Sequence, residues 1–248
     1  MNREEYRISV AMAAYNGEAY IVSQIESILK QLNEDDELVI SLDPSTDMTE
    51  ALMKEIRSKD SRVRLVRGKG KGLVKNFENA IRHCKNEFIF LSDQDDVWKE
   101  DKVNRMLECF QDSDVKVVMH DAEVVDEHMD CLYPSFMEKR GCRTGLIKNI
   151  VKNSYIGCCM AFRKELKNYI LPFPKDIPMH DQWIGLVAEL TGISIMVNEP
   201  LICYRRHGNN ASGDQHAGIG QMIIWRLKLV MNLMMFCVKY KFKRERNR

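Results

Sequence analysis

The stretch FIFLSDQDDVW, from Phe88 to Trp98, ends an apolar run on three aspartates within four positions: Asp93, Asp95 and Asp96. Carboxylates that close repel one another, and taking them out of water costs on the order of several kcal/mol. A nearby positive charge would offset that cost. Asp93 and Asp95 form a D-x-D. Two carboxylates on a tight turn can grip a hard divalent cation, and Mg²⁺ and Mn²⁺ prefer oxygen ligands and commonly share their shell with substrate phosphates. Taken alone a D-x-D is a weak signal, because acidic loops are common and usually just solvated. Its place directly after a buried strand strengthens it.

The elements that must position these groups are legible in the first half. YRISVAMAA, ELVISL, RVRLVRG and FIFLS read as strands, and SQIESILKQL, TEALMKEIRSK and GLVKNFENAIRHC carry apolar residues at helical spacing. Thr46 and Asp47 are expected to cap the second helix, and Asp96 is a candidate cap for a helix beginning near Lys99. Strands separated by helices of this length predict a parallel sheet wrapped by helices. In such sheets ligands bind beyond the carboxyl ends of the strands. AAYNG, LDPSTD and SDQDD each follow a strand directly, so they should meet in one crevice.

The second half is less regular. VKVVMHDAEVVD predicts a strand, residues 127–150 show little periodicity, and SYIGCCMAFRKEL reads as a strand entering a helix. MHDQWIGLVAELTG predicts a helix opened by polar residues, and ISIMVNEPLICYRRHGNN two short strands and a loop. No repeat or low-complexity linker is present.

Composition sets bounds. With 248 residues the chain can form one sizeable domain, or one domain plus an appendage. A 45% hydrophobic and 29% charged content is that of a soluble globular protein, and a net charge of +1 gives no general attraction to nucleic acid. None of the eight cysteines forms a C-x-x-C pair, which excludes zinc-ribbon spacing; they read as reduced, mostly buried thiols of a cytosolic protein. MNREEYRISV is too charged for a signal peptide.

The ordered set AAYNGEAYIVSQIESIL, ISLDPSTD, GLVKNFENAI, FLSDQDDVW, HDQW and YRRHGNN resembles the family 2 glycosyltransferases of GT-A fold, with the match best among bacterial members that build rhamnose-containing or other surface polysaccharides. The resemblance covers roughly residues 6–212. It implies an α/β fold with a mostly parallel central sheet, a Rossmann-like nucleotide half and a smaller acceptor half within residues 1–215. It also implies an inverting, metal-dependent transfer of a sugar from a nucleotide-diphospho-sugar to an acceptor hydroxyl on a glycan, a lipid-linked molecule or another acceptor.

The same resemblance assigns roles. Ala14, Tyr15 and Asn16 would line the nucleotide base and Asp43 would bond it, although Leu42 and Pro44 depart from the usual DDGS pattern. Asn76 would lie under the nucleotide, and Lys71 or Lys75 could face the diphosphate. Asp95 would bind Mn²⁺ or Mg²⁺ directly, with Asp93 reaching the ribose or a metal-bound water. His207 would complete the metal shell or touch the diphosphate, and Arg205 or Arg206 would pair with diphosphate oxygens. Asp181 would be the catalytic base, and Trp183 would wall the acceptor site. By residue type alone, Asp181 is also a good helix cap and Trp183 a core aromatic. Two alternatives are a sugar-nucleotide nucleotidyltransferase and a non-catalytic binding module. The first should carry a Gly-rich basic loop after the first strand, which AMAAYNGEAY lacks; the second should have lost Asp181 or the D-x-D.

From residue 216 the pattern changes to a basic helix and tail ending KYKFKRERNR, with six bases and one acid. Gln221, Lys228, Asn232, Lys239 and Lys243 form one helical stripe, and Ile223, Leu227, Val230, Met234 and Val238 another. Arg226 and Lys228 interrupt the apolar run, so a membrane span is not expected. The expected partners of this helix are a membrane surface, its own domain or a second copy. The expected location is cytoplasmic, with peripheral attachment to the inner face of the membrane as the option that suits a lipid-linked acceptor.

Overall fold

The computed structural model describes residues 3–208, 210 and 218–246. Asn209 of the late loop, residues 211–217 at the expected domain boundary and the last two residues lie outside them. Strands β1 (Ile8–Ala14), β2 (Glu37–Leu42), β3 (Val63–Arg67) and β4 (Phe88–Ser92) alternate with helices α1 (Ile21–Leu29), α2 (Thr49–Lys59) and α3 (Leu73–His83). All seven residues of β1 are buried, and so are all five of β4. Such continuous apolar runs suit strands covered on both faces, which is the condition of a central parallel strand. β1 pairs in parallel with β2 on one side and β4 on the other, and β2 with β3. The order β3-β2-β1-β4 therefore reverses direction at β1, and the crevice forms at that switch.

The rest of the chain extends the same sheet. It contains β5 (Val97–Trp98), α4 (Lys102–Glu108), β6 (Val115–Val125), β7 (Cys131–Tyr133), α5 (Phe136–Arg140), α6 (Leu146–Val151), β8 (Met160–Arg163), α7 (Lys167–Ile170), α8 (His180–Thr191), β9 (Ile193–Arg205) and α9 (Ile219–Arg246). β8 joins antiparallel to β4, and β6 then pairs antiparallel with β8 and parallel with β9. One core fills both halves; Phe77, Phe88, Phe90, Phe110 and Phe162 are among its fully buried side chains. Truncating any of them to Ala would cost about 3–5 kcal/mol.

Several expectations are corrected here. The last strand is one 13-residue element, not two, because register shifts against β6 let it bend without breaking. Cys158 and Cys159 lie in a short 3₁₀ turn ahead of β8 rather than in the strand. Asp47, not Thr46, accepts the Thr49 amide at the start of α2, at 3.0 Å. Three of the eight free cysteines are buried, namely Cys84, Cys158 and Cys159, while Cys131 and Cys237 are exposed.

α9 packs on the domain through a third face. Leu229, Leu233 and Phe236 are buried; of the expected apolar stripe Ile223, Leu227, Met234 and Val238 face outward, while Val230 is half-buried. By length and composition, Gly220–Lys241 is sufficient to cross a membrane, despite Arg226 and Lys228.

Candidate active site

The loop after β4 carries the D-x-D, and three contacts tie it to distant segments. β5 follows the loop directly and pairs with β9, Val97 opposite Cys203. The end of β9 is thereby strapped across the acidic turn. The Arg205 amide donates to Asp96 Oδ1 at 3.1 Å, and Arg205 Nε donates to the Asp95 carbonyl at 2.9 Å. Beyond the strap, His207 Nε2 lies 2.9 Å from Asp95 Oδ2, and Asn210 Nδ2 donates to the same oxygen at 3.2 Å. The third tie is Gln94, whose amide bonds both backbone polar groups of Tyr15 in the loop after β1.

Asp93, Asp95 and Asp181 line one cavity of about 320 Å³. Asp181 sits in the first turn of α8, after Asp93 by 88 positions, and is buried. Its Oδ1 accepts from Asn153 Nδ2 at 3.1 Å and from the Gln182 amide. Burial pushes its carboxyl up to about 6 despite these donors. Burial, then the Asp95 and Asp181 carboxylates, push Asp93 up to about 7. Asp96 is held well above the ordinary carboxylate range by burial and by Asp95 and Asp93. The site thus concentrates more negative charge than its own cations neutralise, which is the condition a divalent ion relieves.

Two donor sets could hold such an ion. Asp93, Asp96 and Cys158 offer ligand atoms within 4.8 Å of one another. A hydrogen bond with Cys159 and then burial push the Cys158 thiol well above its usual range, so it stays protonated. A protonated thiol is a poor ligand for a hard cation. Asp95 with the His207 imidazole beside it, and Asp93 in the same cavity, offer the oxygen and nitrogen donors whose chemistry suits Mn²⁺ or Mg²⁺.

Ala14, Tyr15, Asp43 and Asn76 line the same cavity. Asp43 Oδ1 accepts the Gly70 amide at 2.9 Å. Gly68 passes so close that an added Cβ would fall 2.1 Å from that oxygen, so the turn admits only glycine there without displacing Asp43. Asn76 Nδ2 donates to the Ala14 carbonyl at 3.1 Å, and its Oδ1 is a buried acceptor with no partner among the described residues.

Other expected residues lie elsewhere. Asn16 is outside the cavity lining; its Oδ1 accepts the Thr46 amide at 2.9 Å, joining the loops after β1 and β2. Arg205 is spent on the acidic loop and on the Glu127 carbonyl, and Arg206 lies over the Tyr204 ring, outside the lining. Lys75 pairs with Glu78 at 2.6 Å. Asp96 caps no helix, because it is fully buried and α4 begins after Asp101. Trp183 is a core aromatic: its Nε1 donates to the Ile170 carbonyl at 3.1 Å and its ring meets Phe236.

Three contributors escape a reading by motif. Gln94 sits inside the D-x-D but looks like a spacer. Asn153 lies just past the aperiodic residues 127–150, immediately before SYIGCCMAFRKEL. Lys102 is fully buried behind the acidic loop, over the Trp98 ring, with its Nζ donating to the Cys158 carbonyl at 2.9 Å. Burial lowers it to about 8, and its only sequence signal is a lysine on the apolar face of α4.

The family model for Glycosyl transferase family 2 matches residues 9–170. A dTDP-rhamnosyl transferase, RfbG of Shigella flexneri, is 30% identical over 220 residues, 82% of this chain and 73% of the relative. Among solved structures, S. aureus TarS in complex with UDP-GlcNAc superposes with a TM-score of 0.69 at 17% identity, covering 91% of this chain and 67% of that one. The mannosyltransferase PcManGT of Pyrobaculum calidifontis, in complex with GDP-Man and Mn²⁺, superposes with a TM-score of 0.62 at 18% identity, covering 83% and 58%. At these identities the two structures speak for the shared fold. The chain belongs to glycosyl transferase family 2, and its acidic crevice is built on the sheet that this family uses for sugar transfer from nucleotide-sugar donors.

Proposed function

We propose that this protein is a metal-dependent, inverting glycosyltransferase of surface-polysaccharide or related glycan synthesis, working on the cytoplasmic side of the membrane on a glycan or lipid-linked acceptor. One observation carries the reading: Asp93 and Asp95 share a cavity with Asp181. A donor held by its diphosphate at the first pair would present its anomeric carbon toward the second site.

Asp43, Tyr15 and Asn76 are suited to the nucleoside, and the Asn76 Oδ1 supplies an acceptor to a ligand N–H or O–H. Asp93, Asp95 and His207 would hold the cation. When bound, Mn²⁺ or Mg²⁺ supplies Lewis-acid stabilisation of the negative charge that develops on the departing diphosphate. Asp181 takes the proton of the acceptor hydroxyl as its oxygen bonds to the anomeric carbon and the carbon–phosphate oxygen bond breaks. Asn153 and the Gln182 amide fix the orientation of that carboxylate. Its elevation to about 6 improves it as a proton acceptor while leaving it ionised near neutral pH. No covalent intermediate is required.

The test is nucleoside diphosphate release from a panel of nucleotide sugars, with and without Mn²⁺, followed by determination of the anomeric configuration of the product. Release that needs the metal and gives the opposite anomer is expected. Turnover undiminished by a chelator would overturn the metal role, and a retained anomer would overturn the base role of Asp181.

A further inference from the structure

α9 presents a second, outward-facing apolar stripe. Ile223, Leu227, Met231, Met234, Met235 and Val238 recur at helical spacing and are exposed, with Leu227, Met231 and Met234 at 60%, 64% and 63%. The patch does not stop at that helix. α6 packs beside α9, and the Arg226 guanidinium donates to the Val151 carbonyl at 2.6 and 2.9 Å. On α6, Ile147 and Val151 lie one turn apart and are 78% and 57% exposed. An exposed apolar surface drawn from two elements is unusual for a monomeric soluble domain and marks an interaction site.

Charge narrows the choice of what covers it. Lys148 and Lys152 are exposed alongside Ile147 and Val151, and Lys239 and Lys241 are exposed on the last turns of α9. The sequence has no Asp or Glu from Ile219 to Arg244, a run that holds six Lys and Arg, and none from Lys139 to Lys164. A second copy of this chain would bring cation against cation, so the face is not complementary to itself. A span through the bilayer would strip Leu229, Leu233 and Phe236 from the core and draw Arg226 and Lys228 away from Val151 and Asp176 into hydrocarbon. An apolar stripe edged mainly by cations, with Asp176 beside Lys228 as an exception, fits a helix lying flat on anionic lipid headgroups.

We propose that α9 and α6 together form one docking face for an anionic membrane surface, with α9 lying in the plane of the interface. α6 joins that face to the crevice. Its buried Asn149 accepts the Gln182 side-chain amide at 2.7 Å through its carbonyl, and Asn153, just past its end, holds Asp181. Docking would set the acceptor side of the cavity next to the headgroups, where a lipid-linked hydroxyl is presented. That last step rests on Asp181 being the base; the docking face does not.

The experiment is flotation of the purified full chain with vesicles of phosphatidylglycerol and phosphatidylcholine, against phosphatidylcholine alone. Binding is expected only to the anionic vesicles, weakening as salt rises. Leu227→Gln/Met231→Gln/Met234→Gln should lower partitioning at least tenfold. Lys148→Gln/Lys152→Gln should lower it roughly twenty-five-fold, at about fivefold per cation near an anionic surface. Both variants change exposed side chains, and unaltered thermal melting confirms that they fold. No flotation at low salt overturns the proposal, as does equal binding to neutral vesicles. Resistance of the membrane-bound chain to alkaline extraction would indicate a span instead, and a dimer abolished by the triple variant would indicate a second copy. Nucleoside diphosphate release, measured in parallel without vesicles, reports separately on the catalytic reading.

Discussion

Gln94 holds Tyr15 by both of its backbone polar groups: its Oε1 accepts the Tyr15 amide at 2.9 Å and its Nε2 donates to the Tyr15 carbonyl at 2.8 Å. The residue between Asp93 and Asp95 thus ties that turn to the loop after β1. Gly17 completes the arrangement, because a Cβ there would fall 2.4 Å from Gln94 Oε1.

Gln94→Ala removes two hydrogen bonds, each contributing about 0.5–1.5 kcal/mol. We expect the donor KM to rise several-fold, with smaller change in kcat. Gly17→Ala should do the same by displacing the amide, and the double variant should be no worse than Gln94→Ala alone. Additive losses in steady-state kinetics would show that Gly17 acts through something else.

Asp181→Asn should lower kcat by about 10²–10⁴ while leaving donor affinity nearly unchanged. Retention of more than about a tenth of wild-type turnover would refute the base assignment. In the wild type the base must be ionised to accept a proton, so kcat should rise with pH through about 6 and then level off. A pH profile flat from 4.5 to 8 would count against Asp181 as the group that titrates.

Asp93 offers a stability test that is independent of turnover. Its folded-state pKa of about 7 lies above the ordinary 3.8, so folding favours the protonated form. Below about pH 3 it is protonated folded or unfolded and costs nothing. As pH rises toward 7 the unfolded chain ionises first, and wild-type stability falls. Asp93→Asn removes that cost. In chelator at pH 8 it should melt about 2–4 °C higher for each kcal/mol relieved, and the advantage should vanish by about pH 3. Added Mn²⁺ should raise the wild-type melting temperature and leave the variant's unchanged. A variant less stable than wild type at pH 8 would contradict the account of repulsive burial.

His207→Ala tests the shell from the other side. Removing the imidazole beside Asp95 Oδ2 should raise the Mn²⁺ concentration for half-maximal activity about tenfold or more, with activity partly recovered at saturating metal. An unchanged metal requirement would place His207 outside the shell.

The alternation of β1 to β4 with α1 to α3 is readable because each element carries a local signal: near-continuous apolar runs for strands buried on both faces, and 3.6-residue spacing for the helices between them. The acidic turn is equally legible, since its charges follow a buried strand without a break. What local patterns cannot hold is which distant groups meet. Asp181 enters the same cavity as Asp93 only because β8 attaches the second half antiparallel to β4 and α8 packs against β6, β9 and α3. Arg205 and Trp183 illustrate the converse, for both bear the residue types of a site and are consumed by the scaffold, one strapping the acidic loop and the other filling the core. Nor could periodicity orient α9. It is apolar on more than one side, so complementarity to Tyr169 and Trp183 decides that Phe236 and its stripe turn inward, leaving Leu227 and Met234 outside. Chain order alone determined the sheet and its acidic tip, whereas packing between halves decided which carboxylate faces it and which greasy surface remains for a partner.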